Sequence, residues 1–250
     1  MAKLARFLTN QVRLDTENDI SSNGEVLVQS CALQAERPVV LDVGAHYGEW
    51  SNSLLAQQGN RPVLHLFEPS AHSARRAASA LGERALVHQI AMSEKSGVGI
   101  LHIAHQGAGS NSVVAFSKNA RVPEDSERIK FSTVGDFCSA QGIDRVRLLK
   151  VDAEGHDLAV LRGSEKMLAR QAIDLIQFEY NHRWIDARVF LADAFELLQT
   201  HGYCLGKVSR RGIEAYPAWH PELEKFVEGN YLAYIPDRAV GLRFIRWWGP

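Results

Sequence analysis

Cysteine is scarce in this chain, and so is any surplus of charge. The three cysteines, Cys31, Cys138 and Cys204, lie far apart and are odd in number. That argues against the disulfide framework of small secreted domains and suits a reducing cytoplasm, with the thiols as packing residues. The 28 basic side chains are balanced by 29 acidic ones, giving a net charge of −1 and a pI near 6.8. No global field draws such a molecule to nucleic acid or to an anionic membrane, so a small or neutral partner is expected. Long apolar runs are missing too. The opening MAKLARFLTNQVRLDTEND breaks its hydrophobic residues with Lys3, Arg6, Arg13 and Asp15. No signal-peptide core is expected there and no transmembrane segment anywhere, which implies a soluble, cytoplasmic protein.

What is present is enough for one substantial core. With 250 residues, 46% of them hydrophobic, a single domain is expected: a helical lead-in over 1–38, a core over 39–235 and an aromatic, basic tail over 236–250. Strands are expected at 39–43, 63–68, 85–93, 147–155 and 174–181, with helices at 24–36, 49–58 and 71–82 and behind the fourth and fifth strands. VGILHIA and RIKFSTV read as an inserted β-hairpin, HDLAVLRGSEKMLAR as one helix, and YCLGKVS with NYLAYI as a terminal β pair. The expected fold class is α/β: Rossmann-like, with a seven-stranded, mostly parallel sheet, a closing antiparallel strand and a β-hairpin insertion.

The motif VVLDVGAHYGEWS followed by LHLFEPS carries the chemistry. An apolar strand ends at Asp42, a tight turn holds Gly44 and Gly48, and the next strand ends at Glu68. Glycines let a turn bend sharply and approach a ligand, although an ordinary strand-to-helix turn uses them equally. An acid at the tip of the second strand can accept both hydroxyls of a ribose. A dinucleotide site wants Gly-x-Gly-x-x-Gly, whereas this turn is Asp-x-Gly-x-x-x-Gly with Ala45, His46 and Tyr47 inside it, which suits an adenosine ligand lacking a pyrophosphate.

That turn with its downstream acid resembles the S-adenosylmethionine site of class I methyltransferases. Together with LLKVDAEGHDLAVLRGS, the FEPS and IAMSE turns and QFEYN, it is similar to the FkbM family of S-adenosylmethionine-dependent methyltransferases over about residues 39–205. The resemblance implies an O-methyltransferase acting on hydroxyls of sugars, macrolides and related secondary metabolites. It assigns S-adenosyl-L-methionine to Asp42, Gly44, Ala45, His46, Gly48, Glu68, Pro69, Ser70, Ala91 and Asp152, with Glu68 on the ribose. Two features depart from the family: His46 and Tyr47 in the turn, and the tail beyond 205.

Methyl transfer to an alcohol needs alignment and removal of a proton. Acids at the carboxyl ends of adjacent strands are placed for this, so Asp152, Glu179 and His182 are the candidate catalytic residues. Asp152, Glu179 and Asn181 could instead hold a Mg²⁺-type divalent cation, as in catechol-type O-methyltransferases. Asp152 could equally cap the helix beginning near His156, and Glu154 could order its loop. Ser110, Asn111 and Ser112 are further polar candidates. Trp184, Tyr216, Trp219 and His220 could stack on a sugar ring or fill the core. Phe244, Trp247 and Trp248 could dock on their own domain, on lipid or on a second copy in a homo-oligomer. The expected partner is a small-molecule or glycan acceptor with a free hydroxyl and no nucleic acid, since Asp-Ala-Glu-Gly stands where an Asn-Pro-Pro-Tyr loop would be. A non-catalytic, cofactor-binding assembly partner is the alternative.

Overall fold

The structure, a computed structural model, describes residues 4, 19–103, 109, 111–114 and 125–247. Its centre is the run of strands β1 (Val39–Val43), β2 (Val63–Phe67), β7 (Val146–Val151) and β8 (Ile173–Tyr180), all parallel where they pair. Every residue of β7 and β8 is buried, as strands covered on both faces require, including the charged or polar Arg147, Lys150, Asp174, Gln177 and Glu179 among their apolar residues. Helices α1 (Glu25–Ala32), α2 (Glu49–Ala56) and α3 (Ala71–Leu81) pack on the face bearing Val40, Leu64, Leu148 and Leu175. Helices α4 (Val134–Gln141), α5 (Asp157–Arg162), α6 (Glu165–Leu168) and α8 (Leu191–Thr200) pack on the face bearing Leu41, Leu149 and Ile176. A short helix, α7 (Arg183–Ala187), comes directly after β8. Among the described residues, no helix is long and apolar enough to cross a membrane.

The sheet has nine strands where seven were expected. With β3 (Leu86–His88), β9 (Cys204–Ser209), β10 (Gly212–Tyr216), β11 (Gly229–Tyr234) and β12 (Phe244–Arg246), the order is β12-β10-β9-β11-β8-β7-β1-β2-β3. β11 is antiparallel to both β8 and β9, in keeping with the expected closure. The two additional strands are β10, a hairpin partner of β9, and β12, which pairs parallel to β10. β12 comes from the expected tail. Its Phe244 ring lies 4.8 Å from Tyr234 and Trp247 lies 5.5 Å from Tyr216, so these rings dock on their own domain. Trp248 lies outside the described residues.

Two other expectations need correction. The third strand ends at His88, and the chain then moves into a separate three-stranded sheet, β4-β6-β5, formed by β4 (Ala91–Met92), β5 (Gly97–Ile103) and β6 (Asp125–Ser132). β5 and β6 are the expected hairpin, closed over Leu101, Ile129 and Ala91. The helix behind β7 breaks between α5 and α6 at Gly163, where a Cβ would lie 2.0 Å from the Ser93 carbonyl oxygen. Trp184 and Tyr216 are buried in the core, and the Trp219 indole donates to Glu224, so packing is the use these aromatics find.

Candidate functional site

Register aligns the residues just beyond the central strands. Val43 pairs with Phe67 and with Val151, and Val151 with Phe178. Gly44, Glu68, Asp152 and Glu179 therefore form a row along one edge of the sheet. The chain runs outward from β1 to β2 and β3 and then returns to β7 on the other side of β1, which makes this edge a topological switch point where open α/β sheets take ligands.

A cleft of two lobes opens there. One lobe is mainly apolar, walled by Val43, Phe67, Pro69, Ala91, Met92 and Leu101, with Glu68 at its side. The other is charged, walled by Glu25, Glu49, Trp50 and Lys150 together with Ala45. Gly44, His46, Asp152 and Glu154 belong to both, so Asp152 stands at the seam.

The glycine turn is dictated by the fold. Gly44 has φ +77° and a Cβ on it would lie 1.7 Å from the Asp152 carbonyl oxygen. Gly48, at φ +85°, precedes α2, and its Cβ would meet Leu81 at 2.9 Å. The turn in turn fixes Glu68. The His46 amide donates to Glu68 Oε2 at 2.9 Å and the Ser70 amide to Oε1 at 2.8 Å, while Ser70 Oγ caps α3. Burial pushes the Glu68 carboxyl up to about 7 against the pull of those two amides. Asp42 lies behind the turn, wholly buried, with Ser51 Oγ donating to Oδ2 at 2.6 Å and Oδ1 left without a hydrogen bond. Burial raises its pKa as well.

On the other side of the seam, Lys150 Nζ donates to Asp152 Oδ2 at 2.9 Å and lies 4.0 Å from Asp42 Oδ1. Burial disfavours the Lys150 charge, yet the carboxylates of Asp152, Asp42 and Glu25 hold the ammonium well above the ordinary lysine value. Asp152 does not cap α5. Asp157 orders that turn by accepting the Ala153 and Gly155 amides at 2.8 and 3.0 Å. Burial pushes Asp157 to about 6 and Glu154 to about 7; Glu154 is paired with Arg183 Nε at 2.6 Å. Ser112 Oγ donates to the Glu154 carbonyl at 2.7 Å, pinning the insertion onto the same turn, and Asn111 lines the apolar lobe. Ser110 lies outside the described residues.

Glu179 is buried at the end of β8, where Asn181 Nδ2 donates to its Oε2. Burial, then the neighbouring charges of Asp152, Asp157 and Glu154, push its pKa well above the carboxylate range. His182 is exposed before α7, and neither residue lines the two lobes.

The expected cation trio does not fit a metal. Asp152 Oδ2 already receives the Lys150 ammonium, Asn181 Oδ1 accepts the Arg183 amide at 2.9 Å and Asn181 Nδ2 donates to Glu179 Oε2, so the polar atoms of the trio are turned to protein partners rather than to one point. Among the described residues no group of three or more His, Cys, Asp or Glu is arranged to hold a metal ion.

Sequence reasoning missed Lys150, Trp50 and Glu25. For Lys150 a signal existed: a lone cation inside RLLKV, a strand buried on both faces, must have a partner there. Glu25 carried none, because an acid in the first turn of a helix is ordinary.

A Rossmann-like α/β domain with a two-lobed cleft, one lobe apolar and one charged, at the switch point is the class that fold and site define. The FkbM methyltransferase domain matches residues 42–205, and the chain belongs to that family. Among solved structures it is similar to the FkbM methyltransferase of Methylobacillus flagellatus KT, at 16% identity and TM-score 0.49, over 80% of this chain and 44% of that one. The chain thus spans less than half the length of that relative. It is also similar to a SAM-dependent methyltransferase of Aquifex aeolicus, at 12% identity and TM-score 0.43, over 90% of this chain and 96% of that one. A third likeness is Aeropyrum pernix fibrillarin with natively bound S-adenosyl-L-methionine, at 10% identity and TM-score 0.44, over 81% and 68% of the two chains. No curated protein sequence matches.

Proposed function

We propose that this protein is an S-adenosylmethionine-dependent O-methyltransferase acting on a hydroxyl of a sugar, glycan or related small molecule. The observation that carries the reading is the division of the cleft. Its apolar lobe suits an adenine, Glu68 at the side of that lobe keeps lone pairs for ribose hydroxyls, and the lobe holding Lys150 beside Glu25 suits the zwitterionic end of an amino acid. A pyrophosphate is a poor fit, because the His46 amide is spent on Glu68 and the charged lobe is rich in carboxylates.

The bound donor supplies a methyl group on a sulfonium with a thioether as leaving group. The protein's part is to align and to take a proton. Holding both reactants in line is worth about 7–11 kcal/mol of the barrier. Asp152 at the seam is the group placed to accept the acceptor's hydroxyl proton: Lys150 holds Oδ2 and leaves Oδ1 for the substrate. Glu179, one strand over, is buried with Asn181 Nδ2 donating to its Oε2, and burial raises its proton affinity, so it borders the site without being assigned a step. No step is assigned to a metal, since among the described residues no group of three or more His, Cys, Asp or Glu is arranged to hold one.

Calorimetry with S-adenosylmethionine and its demethylated product, then turnover of a panel of saccharides and nucleotide-sugars with and without a chelator, tests the reading. Binding of both nucleosides and chelator-insensitive methylation of at least one hydroxyl are expected. Absence of binding by either nucleoside would end the cofactor assignment.

A further inference from the structure

A row of polar side chains crosses the otherwise apolar sheet beneath α1. Asp42 pairs with Lys150 and Lys150 with Gln177 on three neighbouring strands. These positions lie on the face that two residues earlier carries Val40, Leu148 and Leu175. Above the row sits Glu25, the first residue of α1, contributed by a segment that precedes the matched region 42–205. Its carboxylate is held from three directions. Asn23 Nδ2 donates to Oε1 at 2.7 Å, Asn230 Nδ2 to Oε1 at 3.3 Å and Gln177 Nε2 to Oε2 at 2.6 Å. Glu25 is only 3% exposed, yet it forms part of the wall of the charged lobe.

Two features make this more than a staple between α1 and the sheet. The hydrogen-bonding partners are carboxamides, which fix the orientation of a carboxylate without forming an ion pair with it, while Lys150, whose ammonium Glu25 helps to hold, donates to Asp152 instead. Two buried acceptors in the same row, Asp42 Oδ1 and Gln177 Oε1, lack any hydrogen bond, so the region is short of donors. Across the lobe, Lys150 spends one of its three N–H bonds on Asp152, and the others are suited to a carboxylate. An acid and an ammonium facing one small lobe match the two ends of an α-amino acid.

We propose that Glu25 binds the α-ammonium group of the cofactor's amino-acid end and is a specificity-determining residue of the site, supplied from outside the segment that defines the family. This rests on the cofactor reading above. It makes α1 and the carboxamides of Asn23, Gln177 and Asn230 part of the binding machinery.

The test is calorimetry with three nucleosides: S-adenosylhomocysteine, its analogue lacking the amino group, and 5′-methylthioadenosine, which lacks the whole amino acid. Wild type is expected to prefer the aminated ligand over the deaminated one by at least about tenfold, the scale of one charge-assisted hydrogen bond. Glu25→Gln narrows that ratio to within about threefold and leaves methylthioadenosine affinity within about twofold of wild type. A ratio that survives in Glu25→Gln, or equal weakening of all three ligands, would overturn the proposal and leave Glu25 a structural staple. Failure of wild type to bind any of the three overturns the cofactor reading and this proposal with it. Should Glu25→Gln not fold, Glu25→Asp keeps the charge but withdraws it by one methylene. Its ratio is expected between the other two, and an undiminished ratio would again refute the role.

Discussion

The two sides of the cleft are built from the same material, carboxylates at strand ends, and treat it in opposite ways. On the β1–β2 side the donors are local: Ser51 serves Asp42, and the His46 and Ser70 amides serve Glu68. On the β7–β8 side burial, and then the nearby charge of Asp152, raises the proton affinity of Glu154, Asp157 and Glu179, and single cations, Lys150 and Arg183, hold only part of the set. The first arrangement is supplied with donors from its own turn, Asp42 Oδ1 excepted. The second stores unfavourable charge, which is the condition under which a carboxyl group handles a proton.

The largest effect should come from the point where the two sides touch. Gly44→Ala places a methyl group 1.7 Å from the Asp152 carbonyl oxygen at a φ of +77°, so the ends of β1 and β7 must separate. A loss of more than about 4 kcal/mol is expected, because two backbones and no flexible side chain absorb the clash. Chemical denaturation measures it, and a midpoint near wild type would mean that the two strand ends are not so closely joined. Asp152→Asn comes next and separates chemistry from binding. Single-turnover methylation is expected to fall by about 10²–10⁴. Cofactor affinity, measured alongside, should fall far less, since an amide still fills the seam. Equal losses in both would put Asp152 on the binding side of the comparison.

A smaller effect separates the sides by pH. Burial raises the folded pKa of Glu68 from 4.5 to about 7, so the folded protein keeps a proton that the unfolded chain releases first. Its stabilising share is therefore complete below the unfolded value and is lost as pH rises through the folded one, about 3 kcal/mol in all. Glu68→Gln cannot ionise and should gain on wild type by that amount between roughly pH 4 and roughly pH 8, read from paired urea titrations. A constant difference between the two proteins across that range would show that Glu68 is as easily ionised folded as unfolded.

The β1–β2 side was also the more legible one in the sequence, for a physical reason. Asp42, Gly44, Gly48 and Glu68 lie within one strand-turn-helix-strand unit, so their spacing alone encodes their proximity. The β7–β8 side is assembled by register between strands far apart in the chain, and who holds whose charge depends on side-chain direction. Lys150 takes one oxygen of Asp152, and Asn181 turns its carbonyl oxygen to the Arg183 amide. The nine-strand count was hidden likewise. GIEAY and FIR are too short to stand out: the first is a strand because β9 and β12 lie on either side of it, the second because β10 lies beside it.

The smallest expected effect sharpens the comparison from within the β8 side. His182 and Glu179 both belong to the motif QFEYNH, yet the fold buries one and exposes the other. The turn at Asn181 is responsible: its side chain donates to Glu179 and accepts from the Arg183 amide, starting α7 at once and leaving His182 at the surface. An imidazole there meets bulk water and lines neither lobe. His182→Ala is therefore expected to change turnover by less than about twofold and stability by less than about 0.5 kcal/mol, the range of ordinary surface substitutions. A tenfold loss of turnover would instead mean that α7 folds inward when the acceptor binds, bringing this histidine onto the hydroxyl that we propose Asp152 deprotonates.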